Sequence, residues 1–297
     1  MRAAERGFLL LSSCLGDPMR KPLTTAQMRI LSDRAWKMDF PTEQRELEMA
    51  DLIALGYGRP MAARILKLLD DGVVLDHYLQ IARRKDCIPL TRISEKYPLV
   101  LRQRLALECP GVLWAMGDLE LLDKPKIALV GSRDLRENNA EFAREVGIQA
   151  AKQGYTLVSG NARGADRTAQ EACLQAGGSV IVVVADSLIR QKEQDRVLYL
   201  SEEDYDQEFS AQRALSRNRI IHALAQMTFV AQSSYQSGGT WDGTVKNLQG
   251  GWSNVFCFDD GTEAIRQLCQ MGASAVNAQD LKELNTLQQD EINLFDQ

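Results

Sequence analysis

Two patterns of apolar residues follow one another along the chain. In the first 85 residues they recur at helical spacing. Met28, Leu31, Ala35 and Met38 trace one face of a helix for which Thr24 or Thr25 offers an N-cap. A second helical segment runs from Pro41 through Leu47, Ala50, Leu52 and Leu55 and is broken at Gly56-Tyr57-Gly58-Arg59-Pro60. A third passes through Ala63, Ile65, Leu66 and Leu69 and stops near Gly72. At the amino terminus, Phe8-Leu9-Leu10-Leu11 is too short for the apolar region of a secretory signal, and Glu5 sits in its charged part. It reads as a first core helix.

Residues 86–125 carry prolines among short apolar pieces, which predicts extended strands and a short helix. From Lys126 the pattern becomes strand, helix, strand. Apolar runs at 126–131, 155–160, 179–185, 197–201, 227–231 and 254–258 are separated by helical segments, the clearest at 139–153 and 164–176. Strands this uniformly apolar predict a mostly parallel α/β sheet with helices on both faces, preceded by a small helical domain. The expected divisions are a helical domain over 1–85, SAM-like or helix-hairpin-like, a connecting segment over 86–125, and the sheet domain over 126–297. Residues 201–208, with five acids, read as a solvated loop.

Composition narrows the function. The 297 residues are 45% hydrophobic and 25% charged, the balance of an ordinary folded protein. A net charge of −5 excludes a protein that holds nucleic acid by bulk positive charge. The charge is uneven: 19 basic and 17 acidic residues over 1–125, then 16 and 23 over 126–297. An anion site in the sheet domain must therefore be built locally. The six cysteines have no metal-ligand or redox spacing and read as buried thiols of a cytoplasmic protein. No apolar run reaches the ~20 residues that cross a bilayer, so no membrane role is expected.

An open parallel sheet binds ligands beyond the carboxyl ends of its strands. Those positions hold Gly131, Ser132 and Arg133, then Ser159, Gly160, Arg163, Gly164 and Asp166. Arg190 and Lys192 follow the third strand. Arg217, Asn218 and Arg219 precede a helical segment, and Ser237-Gly238-Gly239-Thr240 follows the Met227 strand. Glycine lets backbone approach an anion, hydroxyls and helix-start N–H groups donate to it, and arginine adds charge and a two-pronged donor. Four such segments at four successive positions predict a phosphate-binding crevice. Asp166 reads as the cap or the ion-pair partner that orients the neighbouring arginine. His222 reads as a helix-face residue, and His77 as a helix or loop residue in the helical part. No GxGxxG, Walker loop, GxSxG elbow or metal cluster is present, so neither catalysis nor a cofactor is expected.

The run IALVGSRDLRENNAEFAREVGIQAAKQGYTLVSGNARGADRTAQEACLQAGGSVIVVV at 127–184 resembles the DNA-processing protein A family, also called Smf. SRNRIIHALA at 216–225, SGGT at 237–240, GTEAIRQLCQMGASAV at 261–276 and the lead-in at 96–118 are similar in the same order. The resemblance implies an extended Rossmann-like fold that binds single-stranded DNA without cleaving it and brings it to a RecA-type recombinase. Arg133 is then the leading phosphate contact, with Lys192 or Arg190 in the family's basic loop. Gly160, Arg163 and Gly164 fall in the second-strand loop, and Arg217 and Arg219 in the RNR motif. The chain departs from the family at Gln170, where a histidine is usual, and in the loops at 187–196 and 237–244. With the sequence ending at Gln297, no winged-helix domain of the kind some members append is expected. A homodimer stays open. The alternative is a nucleotide-binding sensor or a LOG-like phosphoribohydrolase, whose loop 237–244 partly echoes and for which Asp242 is the nearby acid.

Overall fold

The computed structural model describes residues 1–36 and 46–287. The chain groups into two compact units, Met1–Tyr97 with Pro110–Trp114 and Glu202–Gln207, and Pro98–Cys109 with Ala115–Ser201 and Glu208–Gln297.

The first unit carries α1 (Ala3–Ser12), α2 (Thr25–Trp36), α3 (Met49–Ala54), α4 (Arg59–Leu69) and α5 (Gly72–Arg83). Thr24 caps α2: its hydroxyl accepts the Gln27 N–H, and the Gln27 side chain returns to the Thr24 N–H. Met38 and residues 41–45 of the expected helical segments lie outside the described residues. Leu11, Leu23, Leu52, Leu55, Ala62, Ile65 and Leu68 form one apolar core cluster. Helix α5 begins where the pattern suggested only a stop. Leu75, Tyr78, Leu79 and Ala82, spaced three and four apart, bury one face of it. Strand β1 (Ile88–Thr91) follows.

The acidic stretch at 201–208 is not a solvated loop. Asp204 and Tyr205 are buried. The Asp204 carboxylate accepts the Ser13 hydroxyl at 2.7 Å and the Trp114 indole N–H at 3.2 Å. Tyr205 stacks obliquely on Tyr78, with 4.6 Å between ring centroids. A buried carboxylate needs donors, and Ser13 and Trp114, both distant in sequence, supply them.

The second unit carries α6 (Leu99–Leu105), the end of β2 (Val112–Gly117), β3 (Lys126–Val130), α7 (Glu137–Lys152), β4 (Thr156–Ser159), α8 (Ala165–Gln175), β5 (Ser179–Val183), β6 (Val197–Ser201), α9 (Ala211–Ser216), α10 (Asn218–Leu224), β7 (Met227–Val230), α11 (Gly238–Gly250), β8 (Asn254–Phe258), α12 (Glu263–Gln270) and β9 (Ser274–Val276). Within this unit the sheet order is β6-β5-β4-β3-β7-β8-β9. All pairings from β6 across to β9 are parallel. Every residue of β3, β4 and β7 is buried, as expected of strands covered on both faces. The fold is α/β and Rossmann-like. From β3 the chain lays β4, β5 and β6 on one side, then returns to place β7, β8 and β9 on the other. The switch point is at β3.

Candidate nucleic-acid interface

The loops leaving β3, β4 and β7 open at this switch point. They enclose a cleft of two compartments, of about 420 Å³ and 410 Å³. The first is lined by Gly131, Ser132 and Asp166, by Asn218 of α10, and by residues 237–240 at the start of α11. The second is lined by Gly160, Arg163, Arg167, Asp186 and Phe209. Arg133 and Arg217 line both, with Ala162 and Ala214 between them.

Close packing accounts for the glycines. A Cβ at Gly131 would fall 2.6 Å from the Ala165 Cβ. Gly164 has φ +86°, and a Cβ there would meet the carbonyl oxygens of Arg133 and Ser132 at 2.4 and 2.5 Å. A side chain at either position would push the β3 loop away from α8. The Ala165 N–H donates to the Ser132 carbonyl at 3.2 Å, which joins the two loops.

Arg217 is 7% exposed. Its guanidinium donates to the Gly160 carbonyl and to the Asn218 side-chain oxygen, both at 3.0 Å. Asn218 in turn donates to the Gly239 carbonyl at 3.0 Å. One chain of hydrogen bonds thus ties the β4 loop, α10 and the start of α11 together. Asp166 is buried in the first turn of α8 and accepts the N–H groups of Gly160 and Ala162, both at 3.1 Å. Burial pushes its carboxyl upward, against the charge of Arg217 and the two N–H donors. Its work is to shape the β4 loop. It does not orient Arg163, which pairs with Asp134 at 2.5 Å.

His222 lies under the first compartment and is 1% exposed. The Ser253 N–H donates to Asn247 Oδ1 at 2.9 Å, so Asn247 Nδ2 faces His222 Nδ1, at 3.2 Å. That bond assigns the lone pair to Nδ1 and the proton to Nε2. Burial first, and then the Arg217 charge, lowers the imidazole pKa to about 3. His222 is therefore a neutral buried group, more constrained than a helix-face residue.

Several expected residues stand apart from the cleft. Ser159 is buried behind it and accepts a hydrogen bond from Gln170. Arg190 sits on a short turn and pairs with Glu208 at 2.5 Å. Lys192 is exposed one residue beyond Gln191, which does line the second compartment. Arg219 donates to the carbonyls of Glu108 and Ser216 instead of facing the cleft. The structure adds Arg167, Phe209 and Ser233. Arg167 lies in the first turn of α8, four residues after Arg163. Phe209, 55% exposed, was hidden behind the acidic stretch. Ser233 is buried against the first compartment, and its hydroxyl has no hydrogen-bond partner among the described residues.

A Rossmann-like unit with an arginine-lined cleft at its switch point defines a class of α/β proteins. Within that class, the family model described as DNA recombination-mediator protein A matches residues 89–285, and the chain belongs to this family. The DNA processing protein DprA of Streptococcus pneumoniae is 34% identical over 163 residues, 52% of this chain and 54% of that one. That of Bacillus subtilis is 29% identical over 213 residues, 66% and 70% of the two chains. The matches span about half the length of the Streptococcus relative. Among solved structures, DprA from Streptococcus pneumoniae superposes with a TM-score of 0.66 at 25% identity, covering 87% of this chain and 92% of that one. A DprA from Helicobacter pylori, described by its single-stranded DNA binding mode, gives 0.56 at 24% identity, covering 69% and 96%. Among the described residues no helix is long and apolar enough to cross a membrane, and no group of three or more His, Cys, Asp or Glu could hold a metal ion.

Proposed function

We propose that the protein binds single-stranded DNA in the two-compartment cleft and does not cleave it. One observation carries this: Arg133 and Arg217 stand at the boundary of two adjoining compartments. Phosphates would pass the arginines while bases turn to either side. Phe209, half exposed in the second compartment, offers a ring for stacking. The Helicobacter relative, described as binding single-stranded DNA, supports the ligand class.

The hydrolase alternative relies on Asp242 as its acid. Asp242 is exposed and outside the lining of the cleft. Asp166 lines it but is occupied by two backbone N–H groups. On this reading the purified protein releases no base from a nucleoside monophosphate and cuts no DNA, and it acts by presenting the strand to a RecA-type recombinase.

A competition titration tests the ligand. Unlabelled single strand should displace a bound labelled oligonucleotide at concentrations well below those at which unlabelled duplex does, at equal salt. The acidic balance of the sheet domain gives duplex phosphates little to hold outside the cleft. Equal displacement by duplex would overturn the proposal.

A further inference from the structure

A third cleft, of about 260 Å³, adjoins the second compartment. Asn161 and Arg167 line both, which sets the three side by side along a path that runs from the start of α11 past Arg167. Its origin is topological. The crossovers from β3 to β4 and from β4 to β5 carry α7 and α8, of 16 and 11 residues. Among the described residues the crossover from β5 to β6 carries only the three-residue turn Leu188–Arg190. It supplies no long helix to lie beside α8. Val182 of β5 and its neighbour in register, Tyr199 of β6, line the cleft beneath that gap.

The chemistry changes along the path. The first two compartments hold Arg133, Arg163, Arg167 and Arg217. The third has Arg167 as its one cation, shared with the second compartment; Asn161, Glu171, Gln194 and Tyr199 line the rest beside the valines of β5 and β6, while the Gln170 amide is turned to Ser159. A carboxylate disfavours a phosphate there. Amide groups, a carboxylate and a phenol are partners for the edge and face of a base, the carboxylate accepting from an exocyclic amine.

We infer that a strand held by the two arginine-lined compartments continues past Arg167 and seats a base in this third cleft. The inference rests on the single-strand reading above and extends its length. It makes the binding site longer than the arginine cluster alone.

The test is an oligonucleotide length series on the full chain. Thymidine and cytidine oligonucleotides of two to about eight residues are titrated against the native protein, Gln194→Trp and Arg133→Ala. Gln194 is exposed at the cleft, so a tryptophan there fills the space without entering the core. Native affinity should rise with length until the third cleft is reached. Gln194→Trp should leave the shortest strands unaffected and remove about tenfold of affinity from the longer ones, the size of one lost base contact. Glu171→Trp, at an exposed position of α8, repeats the test should Gln194→Trp fold poorly. Unchanged affinity at every length, or equal loss at every length with an unchanged melting temperature, overturns the third cleft. Arg133→Ala separates the two proposals. If it weakens all strands while the tryptophan variants weaken none, the cleft reading stands and the extension falls. If it weakens none, the cleft reading itself falls.

Discussion

The Arg217 guanidinium donates to the Gly160 carbonyl at 3.0 Å, and a Cβ on residue 160 would lie 1.8 Å from the Arg217 Nη1. The glycine at the end of β4 and the arginine before α10 are therefore one device. Absence of a side chain at 160 is what lets the charge reach the junction of the two compartments.

Gly160→Ala should consequently act on binding more than on folding. The atom displaced is the end of a long side chain, so the fold can adjust. Losing a hydrogen bond from a charged donor costs about 1.5–3 kcal/mol, the upper bound for the stability change. Single-strand affinity should fall more than tenfold, read by fluorescence anisotropy beside a urea melt. A variant that binds normally would show that Arg217 does not act on the ligand.

Arg133 is exposed at the same junction, and its side chain makes no hydrogen bond or ion pair among the described residues. Arg133→Ala should weaken single-strand binding more than tenfold and lower the slope of log affinity against log salt by about one phosphate contact. Arg190→Ala provides the contrast. Arg190 stands outside the cleft and is paired with Glu208, so its loss should change affinity less than about twofold, within the small worth of an exposed pair. Equal effects of the two variants would put the strand along the Arg190 loop instead.

Arg133 and Arg190 also show how far the sequence could be read. Each follows an apolar strand, and strand ends face the ligand side of such a sheet. That rule found Gly131, Ser132, Arg133 and Gly160 because a tight strand-to-helix turn leaves their direction little freedom. It failed for Arg190, Lys192 and Arg219. The direction of a side chain on a longer connection, as at Arg190, or on a helix, as at Arg219, depends on partners such as Glu208 and the Glu108 carbonyl, which are remote in sequence or on another element. Helix α5 was missed for a different reason. A glycine at its first turn resembles a terminator, and only the burial of Leu75, Tyr78, Leu79 and Ala82 shows that the chain restarts there. The acidic stretch at 201–208 misled because buried Asp204 has its donors in Ser13 and Trp114, beyond any local pattern.

Gly164→Ala should act on folding. The position combines φ +86° with backbone carbonyl oxygens within 2.5 Å of a Cβ, and backbone cannot rotate aside as an arginine can. Left-handed strain alone costs about 1–3 kcal/mol, so with the clash added the destabilisation should exceed about 2 kcal/mol in urea unfolding. Since Gly164 anchors the Ser132–Ala165 contact, affinity should drop as well. A variant as stable as the native protein would mean that the β3 and β4 loops separate freely.

The last prediction concerns pH. His222 is held neutral in the folded protein, with a pKa lowered to about 3 by burial and then by Arg217. In the unfolded chain an imidazole titrates near ~6.5. Between those values the unfolded chain binds a proton that the folded chain refuses, so stability falls as pH falls below about 6.5. The slope approaches ~1.4 kcal/mol per pH unit, which gives a loss of about 2 kcal/mol between pH 6.5 and 5 from this residue. Asp166, whose carboxyl is pushed upward, works in the opposite direction as pH falls. Comparison with a non-titrating variant cancels that contribution. His222→Gln keeps a polar side chain beside Asn247 and Thr228 but has nothing to protonate. Whatever its own stability at pH 7, its urea midpoint should decline less than that of the native protein between pH 7 and 5, by about 2 kcal/mol in unfolding free energy. Parallel profiles for the two proteins would show that the imidazole takes up a proton in the folded state, and so that it is not sealed beneath the cleft.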